Sequence, residues 1–134
     1  MIQLSDLIEA LRCELQQYGE MLARFDDAEA YLMQDTTEQT LSKAATLLDQ
    51  EATIDRTVRT RGQVQRRLAR YLGLHEDVGL LEIIPLMPLG AQVLVQALME
   101  ENMDLSVRVG QRANLSRPFP RCPIALVEGC FAAA

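Results

Sequence analysis

Hydrophobic residues recur along the first quarter of the chain at spacings of four and three: Leu4, Ile8, Leu11, Leu15, Tyr18, Leu22 and Phe25, with Leu32 back on register after Glu29 interrupts it. This is the period of a coiled-coil seam, and it predicts a long helix over roughly residues 3 to 33. Leu7, Met21 and Ala28 widen the stripe beyond two positions per heptad, which suits packing against more than one partner helix. The stretch QDTTEQTL breaks the pattern, with Asp35 able to cap a new helix and Glu38 three residues on to complete a capping box. A second helix follows over roughly 36 to 72, with apolar positions Leu41, Ala44 or Ala45, Leu48, Ile54, Val58, Leu68 and Leu72, ending at Gly73. Two helices of ~30 to 37 residues at ~1.5 Å per residue, joined by a short turn, make an antiparallel hairpin ~45 to 55 Å long.

After LGLHED the pattern changes. The stretch VGLLEIIPLMPL contains Pro85 and Pro88, so a short helical segment over roughly 78 to 86 that crosses or caps the hairpin is expected rather than a continuous helix. A third long helix is expected over roughly 89 to 113, with Val93, Leu94, Ala97, Leu98, Leu105 and Val109 on a broad apolar face and Glu100, Glu101, Asp104, Arg108 and Arg112 outside it. Prolines at 118, 120 and 123 forbid helix beyond that, while Phe119, Ile124, Leu126, Val127 and Phe131 keep the segment apolar. Such a tail either packs back on the bundle in an extended form, is disordered, or meets a partner. The expected fold class is therefore all-α: a long, coiled-coil-like antiparallel helical hairpin with a third long helix packed along it. It divides into a bundle domain, residues 1–113, and a Pro-containing apolar tail, residues 114–134.

Composition agrees with a helical bundle. The chain has 134 residues, enough for one domain, with 4% aromatics, no Trp, and an apolar content that is mostly Leu, Ala, Val, Ile and Met. Charge raises a separate question, because the run RTRGQVQRRLARYLGL is basic while the whole chain carries −6. Arg56, Arg59, Arg66 and Arg70, with Gln63 between, step by three and four along one face, offset from Ile54, Val58, Leu68 and Leu72. The arginines thus read as a solvated back. Folding at Asp35 brings this half of the second helix alongside Asp6, Glu9 and Glu14, and Arg61, at the seam edge, is best placed to reach Glu9. Nucleic acid is not expected as a partner, since the chain adds neither a basic domain nor stacking aromatics.

Catalytic apparatus is not visible in the sequence. There is no Gly-rich phosphate loop or Gly-x-Ser-x-Gly elbow, and the single His75 sits beside Glu76 and Asp77 just past a helix end. Cys13, Cys122 and Cys130 are an odd number at no metal spacing, and Asp26, Asp27 and Glu29 lack the Glu-x-x-His ligands of a di-iron bundle. No enzyme activity, cofactor or metal is expected. The start, MIQLSDLIEAL, does not read as a secretory signal, and the apolar region around Val78 to Leu98 is broken by Glu82, Pro85, Pro88 and Gly90. A soluble cytoplasmic protein without membrane insertion is expected.

The stretch LMQDTTEQTLSKAATLLDQEATIDRTVRTRGQVQRRLARYLGL resembles the FlgN family of flagellar export chaperones. The likeness lies in an early leucine helix with YGEML, a turn after Leu32 carrying Asp35, and a helix with Glu51 near its centre. It includes Arg67 ahead of a Leu72, Gly73, Leu74 ending, and continues through LMEENMDLSVRVGQ, where Asn102 stands where the family tends to place an asparagine. It covers roughly residues 4 to 112. The resemblance implies a cytosolic, non-enzymatic chaperone that binds the C-terminal helical segments of hook-filament junction proteins, prevents their premature assembly and delivers them to the flagellar type III export gate. The client surface expected on that reading is the last long helix and tail: Leu94, Leu98, Asn102, Leu105, Val109, Phe119 and Leu126. Homo-oligomer formation is allowed. The alternatives are a coiled-coil nucleic-acid-binding protein using the arginine face, or a structural or adaptor bundle subunit.

Overall fold

A computed structural model describes residues 2–32 and 37–115. Within them lie α1 (Ile2–Leu32), α2 (Thr37–Tyr71), the single-turn α3 (Leu80–Ile83) running into a 3₁₀ turn (Ile84–Leu86), and α4 (Leu89–Leu115). The described residues contain no strand, and the protein is an all-α helical bundle. Asp35 of the expected capping box and residues 116–134 of the expected tail lie outside the described residues.

Cross-helix bonds fix the directions of the helices. Asp27 pairs with Lys43, Gln17 with Gln50 and Glu14 with Arg61, so α2 runs antiparallel to α1. Asn102 bonds the backbone of Leu11, and Arg112 bonds Asp26 and Glu29, so α4 runs parallel to α1. α1 packs against both of the other long helices, while the backbones of α2 and α4 scarcely approach each other. This position explains the wide apolar stripe of α1. Leu4, Leu7, Leu11, Tyr18, Met21, Phe25 and Ala28 are buried, and Ile8, Leu15 and Leu22 are half-buried against the same core.

The inward line of α2 differs from the expected one. Leu47, Ile54, Val58, Val64, Leu68 and Ala69 are buried, together with the polar Gln50, Arg61 and Gln65, whereas Leu41 and Leu48 are 67% and 58% exposed. Ile54, Val58 and Leu68 therefore belong to the core, and Leu41 and Leu48 do not. The physical reason is that polar side chains occupy several seam positions, so counting apolar residues alone places the stripe about a third of a turn off in the first half of α2.

α2 ends in a Schellman motif. Gly73 takes φ +76°, its N–H donates to the Arg70 carbonyl at 3.1 Å, and the Leu74 N–H donates to the Ala69 carbonyl at 2.9 Å. Leu74 then packs on the core. Pro85 and Pro88 prevent α3, the 3₁₀ turn and α4 from merging, and the Gln92 side chain ties the corner by donating to the Met87 carbonyl at 2.8 Å. Leu80, Ile83, Ile84 and Met87 of this corner are buried and close the end of the bundle.

Candidate functional site

The α1–α2 seam is held by a chain of buried polar groups. Arg61 Nε donates to Glu14 Oε1 at 2.9 Å, and both side chains are almost wholly buried, at 1% and 0% exposure. The Tyr18 hydroxyl donates to the other Glu14 oxygen at 2.8 Å, and Arg61 Nη1 donates to Gln65 Oε1 at 3.0 Å. Gln65 in turn donates to the Val78 carbonyl at 3.2 Å, which links the hairpin to the corner that follows it. Arg61 thus reaches Glu14 rather than Glu9, because the register sets Arg61 level with Glu14 where both face the seam; Glu9 stays exposed beside Cys13. Nearer the hairpin tip, Gln50 Nε2 donates to Gln17 Oε1 at 2.6 Å while Gln50 Oε1 accepts from Arg24 Nε at 2.9 Å.

The α1–α4 seam contains the residues expected to hold a client. Asn102 is fully buried, and its Nδ2 donates to the Leu11 and Leu98 carbonyls, each at 3.0 Å. Leu98 and Val109 are buried and Leu105 is half-buried against the same core. These four belong to the line by which α4 holds α1, not to an open face; their spacing of four, three and four is that of a helix seam, occupied here within the chain. Leu94 remains partly exposed at the edge. Phe119 and Leu126 lie outside the described residues. Arg112 closes the far end of this seam, donating to Asp26 at 2.7 Å and to Glu29 at 3.1 Å, with its guanidinium 5.8 Å from the centre of the Phe25 ring. The Glu29 that interrupts the leucine register of α1 is thereby matched.

The opposite face of α4 is the one left open. Leu89, Val93, Met103 and Val107 are exposed along it, Val93 by 74%, with Gln96 and Glu100 between them. Leu81 and Leu86 continue this exposed apolar surface onto the preceding corner. Sequence reading put Val93 on the same face as Leu98 and gave Leu89, Met103 and Val107 no role, because α4 is apolar around most of its circumference; the available signal was the polar Asn102 in the middle of one face, which marks that face as inward.

On α2, Arg56, Arg59, Arg66 and Arg70 are exposed. Their bonds are local: Arg56 to Thr53 at 3.1 Å, Arg59 to Asp55 at 3.0 Å, and Arg70 to Glu76 at 3.3 Å. Beside them a groove runs between α1 and α2 in two stretches of about 520 and 550 Å³ that share Asp6 and Val64, with no α4 residue lining either. His75 is exposed and its Nδ1 accepts the Asp77 backbone N–H at 3.1 Å. Among the described residues no helix is long and apolar enough to cross a membrane. No protein-family model, curated protein or solved structure matches this chain.

Proposed function

We propose that this protein is a cytosolic, non-enzymatic flagellar export chaperone of the FlgN kind, which binds C-terminal helical segments of hook-filament junction proteins, blocks their premature assembly and delivers them to the type III export gate. The observation that supports this reading is the pair of faces on α4. Its inward side packs against α1, yet Leu89, Val93, Met103 and Val107 stay exposed on the other side. Among the described residues these side chains contribute nothing to the packing of α4 on α1.

The mechanism is helix-in-groove recognition. A client's amphipathic helix lays its apolar side along α4, over a span of ~27 Å from Leu89 to Val107 at ~1.5 Å per residue. Each Leu, Val or Met buried there contributes ~1.5 to 3 kcal/mol before ordering costs. The same client surface is the one that drives self-assembly, so covering it keeps the client unassembled. Of the expected client set, Leu98, Asn102, Leu105 and Val109 pack toward α1, Leu94 lies at the edge, and Phe119 and Leu126 fall outside the described residues, so this reading uses the outward positions of the same helix.

The test follows assembly itself. A hook-filament junction protein that polymerises, as followed by light scattering, should stay in solution when mixed with this chain in equal amount. Val93→Glu combined with Val107→Glu should remove that effect while leaving the melting temperature unchanged. Undiminished polymerisation beside the unaltered chain would defeat the proposal.

A further inference from the structure

The outward face of α2 is a second, separate stripe with two chemically different halves. Its first half presents Leu41, Ala45, Leu48 and Ala52, all exposed and spaced by four, three and four. After a further step of four it continues as Arg56, Arg59, Arg66 and Arg70, also exposed, with Gln63 between. All nine positions fall on one side of a straight helix, over ~44 Å at ~1.5 Å per residue. A helix face that only meets water has no need of two leucines more than half exposed in register with four arginines.

We infer that this face docks an amphipathic helix of another protein whose contact line is aliphatic over one half and acidic over the other. Charge selects the acidic half. The whole chain carries −6, yet this half of the face is cationic, and the guanidiniums of Arg59 and Arg70 are exposed and open to exchange their local acids for a partner's carboxylates. The aliphatic half argues against nucleic acid, which would grip the arginines through phosphate and leave Leu41 and Leu48 in water. The alternation of Leu with Ala in that half lets the partner backbone approach closely, with the leucines seated between its side chains. This site lies on a different helix from the client face of α4, and the inference stands independently of that assignment.

The experiment uses the full chain and two labelled synthetic helical peptides of about 28 residues, four heptads. Each has Leu and Ala on its contact line over two heptads and Glu over the other two, in opposite orders, because the face does not set the partner's direction. Anisotropy should show one of them binding more tightly than a scrambled peptide of the same composition. Leu41→Glu with Leu48→Glu should weaken that binding about tenfold, as should Arg59→Glu with Arg66→Glu; the second loss should be restored by a peptide carrying Lys in place of Glu. Val93→Glu with Val107→Glu should leave it unchanged, which separates this result from any failure of the α4 face. Equal binding of the scrambled peptide, or charge-reversed protein binding the Glu peptide as well as before, overturns the inference. So does a dimer in light scattering that Leu41→Glu with Leu48→Glu dissolves, since a second copy would then be the occupant. Salt-sensitive capture of a DNA duplex in preference to either peptide overturns it as well.

Discussion

At the scale of the residue, the hairpin depends on a charge pair withdrawn from water. Glu14 and Arg61 each lose hydration on folding, and what offsets that loss is their mutual bond together with Tyr18 and Gln65. Removing one partner leaves the other buried and uncompensated. Glu14→Ala or Arg61→Ala should therefore cost about 3–5 kcal/mol in urea unfolding, while Glu14→Leu combined with Arg61→Met should recover most of it. A double variant as unstable as the sum of the two single ones would mean that the pair is not the unit holding the seam. Asn102 plays the corresponding part between α1 and α4: its bond to the Leu11 carbonyl fixes where α4 sits along α1, while its second bond stays within α4, to Leu98. The sequence places Arg61 at the seam edge nearest Glu9, but which acid lies level with it depends on the register of α2 along α1, which Gln17 meeting Gln50 helps to set and a hydropathy pattern does not carry.

At the scale of the element, the three long helices differ in how plainly they could be read. α1 was legible because its apolar period runs almost unbroken and both of its partners demand the same broad stripe. α2 was legible as a helix but not as a face, since Gln50, Arg61 and Gln65 sit among its inward positions. The distinction between Leu47 and Leu48 follows from this. Leu47→Ala should cost about 2–5 kcal/mol, as a buried leucine does, whereas Leu48→Ala should shift stability by no more than about 0.5 kcal/mol. Equal costs in paired urea titrations would place the α2 stripe where the apolar count alone put it. α4 posed the reverse difficulty. With Leu98, Leu105 and Val109 on one side and Leu89, Val93, Met103 and Val107 on the other, hydropathy does not say which side faces α1, and most of the client positions expected on α4 fall on the inward one.

At the scale of the whole molecule, α1 serves as the shared support of two helices that have little to do with each other, and each of those helices carries an unused face. The inward side chains of α4 pack against α1, while Leu89, Val93, Met103 and Val107 on its other side are exposed, and the proposed client would lie there. The described core reaches Ala113 at its far end, so a chain ending at Leu115 should keep a cooperative thermal transition; loss of that transition would show that residues 116–134 are part of the fold. Titration calorimetry of the full chain against a synthetic C-terminal helical segment of a hook-filament junction protein tests the proposed α4 client face most directly. Saturable one-to-one binding is expected, with a negative heat-capacity change from burial of apolar surface, lost in Val93→Glu with Val107→Glu and retained in Arg59→Glu with Arg66→Glu. Absence of saturable binding, or binding that the α4 substitutions leave intact, would contradict it.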